Sequence, residues 1–178
     1  MRACAILLLL AGARFGMQAQ RSGISDPIVI DRILAVVGGQ PIMQSDVDAA
    51  IQFRLVDVPP GSAAPRVAAL DRMIERTLIL AEVERFQPPE PAPVEIAVRV
   101  DEMERRAGST AAFEKALAVT GLSREQLRRD VRDDLRIATY LNQRFVAVAD
   151  PNERKAATAA WVAELRRRAE ITVLSSGK

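Results

Sequence analysis

The sequence contains no histidine, a single cysteine and few aromatics, which make up 4% of its 178 residues. Histidine is the side chain whose ordinary titration falls near neutral pH, so acid–base catalysis here rests on carboxylates tuned by burial. Cys4 lies inside an N-terminal apolar run. If that run is removed on export, the remaining chain has neither a disulfide nor a thiol nucleophile. Without histidine or a retained cysteine, only an all-carboxylate metal site is left, and no calcium-loop spacing is present. No glycine-rich phosphate loop occurs either, so the expectation is a protein with no cofactor, metal or nucleotide. The core must come from aliphatic side chains, which supply most of the 49% apolar content.

The first residues read as a secretory signal. Arg2 is a minimal basic region, and Ala3 to Ala13 is uncharged, apolar and too short to span a bilayer. Cleavage after Ala19 divides the chain into a signal at 1–19 and a single domain at 20–178. Loss of Arg2 and Arg14 lowers Lys+Arg from 25 to 23, matching 23 Asp+Glu. The exported chain is then neutral, and nucleic-acid binding loses its electrostatic basis.

What is present is a run of well-marked elements. Ile33 to Val37 is a short, β-branched apolar segment that suits a buried strand. Gly38 and Gly39 supply a tight turn, and Pro41, lacking an N–H, confines the return strand Gln40 to Met43 to a sheet edge. The only other strand-like segment is Ile171 to Leu174, so the first strand is expected to pair with the far end of the chain. Between them the sequence predicts helices. The first is capped by Ser45 with Asp48 and runs to about Val56. The second starts at Pro65, with Val67, Leu70, Ile74, Leu78 and Ala81 as its stripe, and Ile79, Leu80, Val83 and Phe86 widen that stripe as a central helix would require. Four prolines between Gln87 and Pro93 make a stiff connector. Helix three follows from Val94 to Arg106, bearing Ile96, Val100 and Met103. Helix four covers Thr110 to Val119, with Phe113 and Leu117 inward and a stop at Gly121. Ser123 and Gln126 box the start of a fifth helix striped by Leu127, Val131, Leu135, Ala138, Leu141 and Phe145. Asp150, Pro151 and Glu153 mark the start of a sixth, anchored by Trp161 and Leu165. The fold class is therefore mainly α: a multi-helix domain with a small sheet made from an N-terminal hairpin and a C-terminal strand.

Three segments resemble the SurA-type periplasmic chaperones: ILAVVGGQPIMQSDVD at Ile33–Asp48, FEKALAVTGLSREQLRRDVRDDLRIATYL at Phe113–Leu141, and WVAELRRRAEITVL at Trp161–Leu174. They are similar to that family's opening hairpin, its long N-domain helix, and the C-terminal helix and strand that fold back on the N-domain. Fuller members insert a parvulin prolyl-isomerase domain between the last two, whereas here Val146 to Pro151 passes directly from one to the other. Parvulin sites in the family rely on paired histidines, and this chain has none. The resemblance implies a periplasmic, ATP-independent holdase, non-catalytic, whose partners are unfolded polypeptides such as outer-membrane protein clients. The alternatives are a divergent prolyl isomerase and an envelope module with one dedicated partner.

Two residue sets bear on binding. Met43, Met73 and Met103 with Phe53 and Phe113 are candidates for an adaptable apolar cradle, against a plain core role for each. The groove they suggest lies between helices one to three and the terminal helix. Arg124, Arg128, Arg132 and Arg136 recur every four residues along helix five. They form a candidate ridge for client carboxylates or for phosphate head groups in peripheral membrane contact, against an ordinary solvated face. Asp130, Asp133 and Asp134 sit among those arginines, which should hold their pKa values down as ordinary anions.

Overall fold

The computed structural model describes residues Asp31–Leu174; the segment expected to be a signal, with Cys4, the residues up to Ile30 and the last four residues lie outside it. Strands β1 (Ile33–Val37) and β2 (Gln40–Met43) form a hairpin. Gly38 and Gly39 both take positive φ, 54° and 83°. That combination matches the strand twist in a two-residue turn and is easiest for glycine. Strand β3 (Ile171–Val173) pairs antiparallel with the other side of β1, giving the order β2-β1-β3. Ala35 stands opposite Val173, and the ladder is extended by Gly38 N–H to the Glu170 carbonyl and Leu174 N–H to the Leu34 carbonyl, each at 2.9 Å. The ends of the domain thus meet in one sheet, with Pro41 on the outer strand as expected.

Six helices fill the interval: α1 (Gln44–Phe53), α2 (Pro65–Phe86), α3 (Pro93–Arg106), α4 (Thr110–Thr120), α5 (Arg124–Arg144) and α6 (Pro151–Arg168). The expected start of α1 is corrected. The helix follows β2 without a spacer, so Met43 is its cap residue and the Asp46 carboxylate accepts the Met43 N–H at 2.8 Å. Ser45 instead donates its N–H and hydroxyl to Asp31, which the adjoining start of β1 brings alongside. Asp48 is left to pair with Arg66 at 2.8 Å. The helix also ends earlier than Val56, because Arg54 turns left-handed at φ 53° and Leu55 donates back to the Ala50 carbonyl.

Other termini follow the sequence signals. Ser123 and Gln126 satisfy each other's backbone N–H groups, and Gly121 stops α4 at φ 70°. Asp150 caps α6 by accepting from the N–H groups of Asn152 and Glu153, with Glu153 present at the box position but not reaching back.

Packing divides into three apolar clusters, and α2 contributes to the first and the third. The first places Leu34, Val37 and Ile42 of the hairpin against Ile74 and Leu78 of α2 and Leu165 of α6. The second joins Phe53 of α1, Val100 of α3, Phe113 and Leu117 of α4, and Leu127 and Val131 of α5. The third sets Ile79 and Val83 of α2 against Tyr140 of α5 and Val162 of α6. Helix α2 is therefore contacted on several sides, as its wide apolar face requires. Val67, Ala81 and Phe86 are the exceptions: all three are exposed, although the Phe86 ring still lies 5.5 Å from that of Tyr140.

Candidate binding groove

Helices α5 and α6 both pack on α2 but make little direct contact with each other. They are bridged by side chains where α5 ends: the Trp161 ring lies 5.9 Å from Tyr140 and 6.1 Å from Phe145, with the Arg144 guanidinium 4.6 Å above it. Beyond that bridge a groove of about 680 Å³ opens between α2, α5 and α6. Its floor is apolar, made by Ile79, Ala138, Leu141, Ala159, Val162 and Ala163. Its rim is cationic, with Arg72, Arg154, Lys155 and Arg166 against one carboxylate, Glu75.

The rim cations differ in freedom. Arg154 is held by two hydrogen bonds to the Val148 carbonyl, at 2.8 and 3.0 Å, which fixes the turn into α6. Arg166 pairs with Asp71 at 2.8 Å, and Arg72 with Glu75 at 2.7 Å. Lys155 is exposed and has no ion-pair partner among the described residues. Sequence reasoning did not pick out this face. Its signal was the row Lys155, Thr158, Ala159, Val162, Ala163 and Arg166, which helical spacing places on one face of α6.

Of the five residues expected to line a cradle, Phe53, Phe113 and Met103 meet in the second cluster, while Met43 and Met73 stand apart from them. Phe113 is fully buried and Phe53 nearly so, their rings edge to face at 5.7 Å, which corrects both to the core. Met73 packs on the first cluster and Met103 on the second, and Met43 caps α1. The groove shares α2 and α6 with the one expected, and α5 takes the place of α1 and α3. A smaller hollow of about 250 Å³ does touch Phe53 and Met103, beside Arg54 and Arg106.

The arginine ridge is likewise divided. Arg124 binds Glu114 at 2.6 Å and Glu104 at 3.2 Å while lying over the Phe113 ring. Arg132 reaches Asp133 at 3.2 Å and Glu90 at 3.6 Å. Arg136, expected on the open ridge, is buried at 3% exposure and engages Glu84 and Glu90, at 2.5 and 3.1 Å. It fastens the proline connector to α5 instead of facing an external anion. Arg128 is the member left exposed and without an ion pair among the described residues.

The aspartates of α5 depart furthest from expectation. Arg76 of α2 binds Asp134 at 2.8 Å and the Asp130 carbonyl at 3.0 Å, across the α2–α5 seam. Burial nevertheless pushes the Asp130 carboxyl up to about 6, against the pull of Arg76 and with help from Asp134 and Asp133. Asp134 is raised for the same first reason. Asp130 borders a small hollow of about 210 Å³ shared with Asp46, Arg76 and Met73. Among the described residues no group of three or more acidic or cysteine side chains is placed to hold a metal ion.

No known family model matches this sequence, and a search of curated proteins finds no match.

Proposed function

We propose that this chain is an exported, ATP-independent holdase that binds unfolded polypeptides without chemically altering them, outer-membrane protein segments being the natural clients. The observation that carries this reading is the open apolar groove between α2, α5 and α6, bordered by charge. Its floor would shield an apolar client segment from other chains, and the charged rim would keep the complex in solution. Binding of this kind is shallow and reversible, as release without nucleotide requires. The signal-like segment at 1–19 supports a periplasmic setting. The three segments resembling SurA-type chaperones support the same activity, because they include α5 and the second half of α6, which line the groove.

The test is a titration of the cleaved chain into an unfolded outer-membrane protein, with light scattering as the readout and a proline-limited refolding assay in parallel. Suppressed aggregation with an unchanged slow refolding phase is the expected result. An accelerated slow phase would mean prolyl isomerisation, and unchanged aggregation would remove the holding function. Crosslinking in envelope extracts adds a separate check: many unfolded clients fit a holdase, while one dominant folded partner would replace this reading with a dedicated docking module.

A further inference from the structure

Resting on the reading of this groove as a polypeptide site, we propose that its preferred ligand is an amphipathic helix that carries a carboxylate at one end of its apolar face, the end lying beside the start of α6. Shape argues for a helix. The groove follows α6 from Pro151 to Arg166, about 22 Å at the rise of an α-helix, and it is bounded by helices throughout. Helical walls have their backbone groups already paired, so an extended ligand would find no strand edge and its own N–H and C=O groups would lack partners. A helical ligand satisfies its backbone internally and needs only side-chain contact. Ala138, Ala159 and Ala163 leave room for such a helix to approach closely, as the fourth member of a bundle whose other three are α2, α5 and α6.

Charge argues for one acidic end. Arg154 and Lys155 stand in the lining near the start of α6, and Lys155 has no ion-pair partner among the described residues. At the other end the cations are already answered: Arg166 pairs with Asp71 at 2.8 Å, and Glu75 is shared between Arg72 at 2.7 Å and Arg166 at 4.0 Å. Because the exported chain is neutral as a whole, the field at Lys155 is local to the groove and not a property of the entire surface. A ligand helix with a carboxylate at that end of its apolar face meets Lys155, with Arg154 beside it.

Fluorescence anisotropy with the cleaved full chain tests this, using four labelled peptides of one helix-forming apolar face. Three carry glutamate, glutamine or lysine at that flanking position, and the fourth is the glutamate peptide interrupted by proline. The glutamate helix should bind tightest and weaken with added salt. Lys155→Glu should weaken that peptide by about five- to tenfold while leaving the glutamine peptide unchanged. Ala159→Trp, which fills the groove, should weaken all of them, with circular dichroism confirming that both variants remain folded. Equal affinity across the three charge types, or undiminished binding of the proline-interrupted peptide, overturns the proposal. If the chain suppresses aggregation yet fails to discriminate among the peptides, the holding function survives and this ligand class does not. If it discriminates but suppresses nothing, the ligand class stands and the holding function falls.

Discussion

The two ends of α5 belong to different kinds of environment. Its first half contributes Leu127 and Val131 to a closed cluster with Phe53, Val100 and Phe113, where side chains are almost wholly excluded from water. Its second half contributes Ala138 and Leu141 to the wall of an open groove. One continuous helix therefore serves a sealed core and a surface left unfilled. The difference lies in the partners: α1, α3 and α4 pack on the first half, whereas α2, α6 and the proline connector attend the second. Stability is concentrated where packing is complete, and the capacity to take a ligand where the bundle lacks a member.

The sharpest test of that contrast is a pair of truncations. Phe113→Ala should cost about 3–5 kcal/mol, since it empties a large, fully buried ring site that Phe53 and Arg124 cannot refill. Leu141→Ala on the groove wall should cost about 1 kcal/mol, because that side chain is only partly withdrawn from water. Urea denaturation of both variants measures the two costs. Comparable losses would mean that the groove side is as tightly packed as the closed side and that no functional division exists along α5.

A somewhat smaller effect is expected from removing Glu170–Lys178, which takes away β3. Strand β1 would lose its ladder on one side, and Ile171 would no longer cover the first cluster. The expected loss is about 2–3 kcal/mol. Hydrogen exchange should show α6 losing protection before the closed half of α5, because β3 is what ties the end of α6 back to the sheet. An unchanged melting curve would reduce β3 to an appendage and leave α6 held by α2 alone.

The elements that local chemistry determines were legible in the sequence. The paired glycines, Pro41 and the lone distant strand segment were sufficient for the hairpin and for its closure by Ile171–Val173. The Ser123–Gln126 box and the Asp150–Pro151 start placed two helix ends. What the sequence could not show was long-range partnership. The apolar stripe of α5 runs on through Ala138 and Leu141 at regular spacing, yet burial shifts to Arg136 and Tyr140, because α2 and the proline connector approach from another direction. Arg136 finds Glu84 and Arg76 finds Asp134 across more than fifty residues of chain. Helical spacing makes four arginines a ridge; only the fold decides that one of them points inward. The groove escaped notice for a related reason. Its lining is largely alanine and cationic side chains, which periodicity reads as an ordinary outer face until the two helices beside it are seen to make little contact with each other.

The smallest expected effect concerns the seam where the closed and open halves of α5 meet. Asp130 faces Arg76 from α2 and Asp46 from α1, with Asp133 and Asp134 on its own helix, and burial raises its carboxyl to about 6. An acid whose pKa is higher in the folded than in the unfolded protein holds its proton more firmly when folded. Between the ordinary value of 3.8 and about 6 the folded state therefore binds more protons, and this group's contribution to stability declines as pH rises through that window. Above it, the folded protein carries a partly desolvated anion at a net cost. Asp130→Asn removes the titration while keeping the shape, so it should raise stability at neutral pH by about 1 kcal/mol, discounted for the residual exposure of the carboxylate. It should also flatten the decline between pH 4 and 6 in a series of urea midpoints. Arg76 keeps Asp134 at 2.8 Å in that variant, so the seam retains its main ion pair. Should Asp130→Asn instead destabilise the protein at neutral pH, the attraction of Arg76 outweighs the burial of the carboxylate, and the seam draws strength from a second ion pair instead of bearing a cost at the boundary between the two halves.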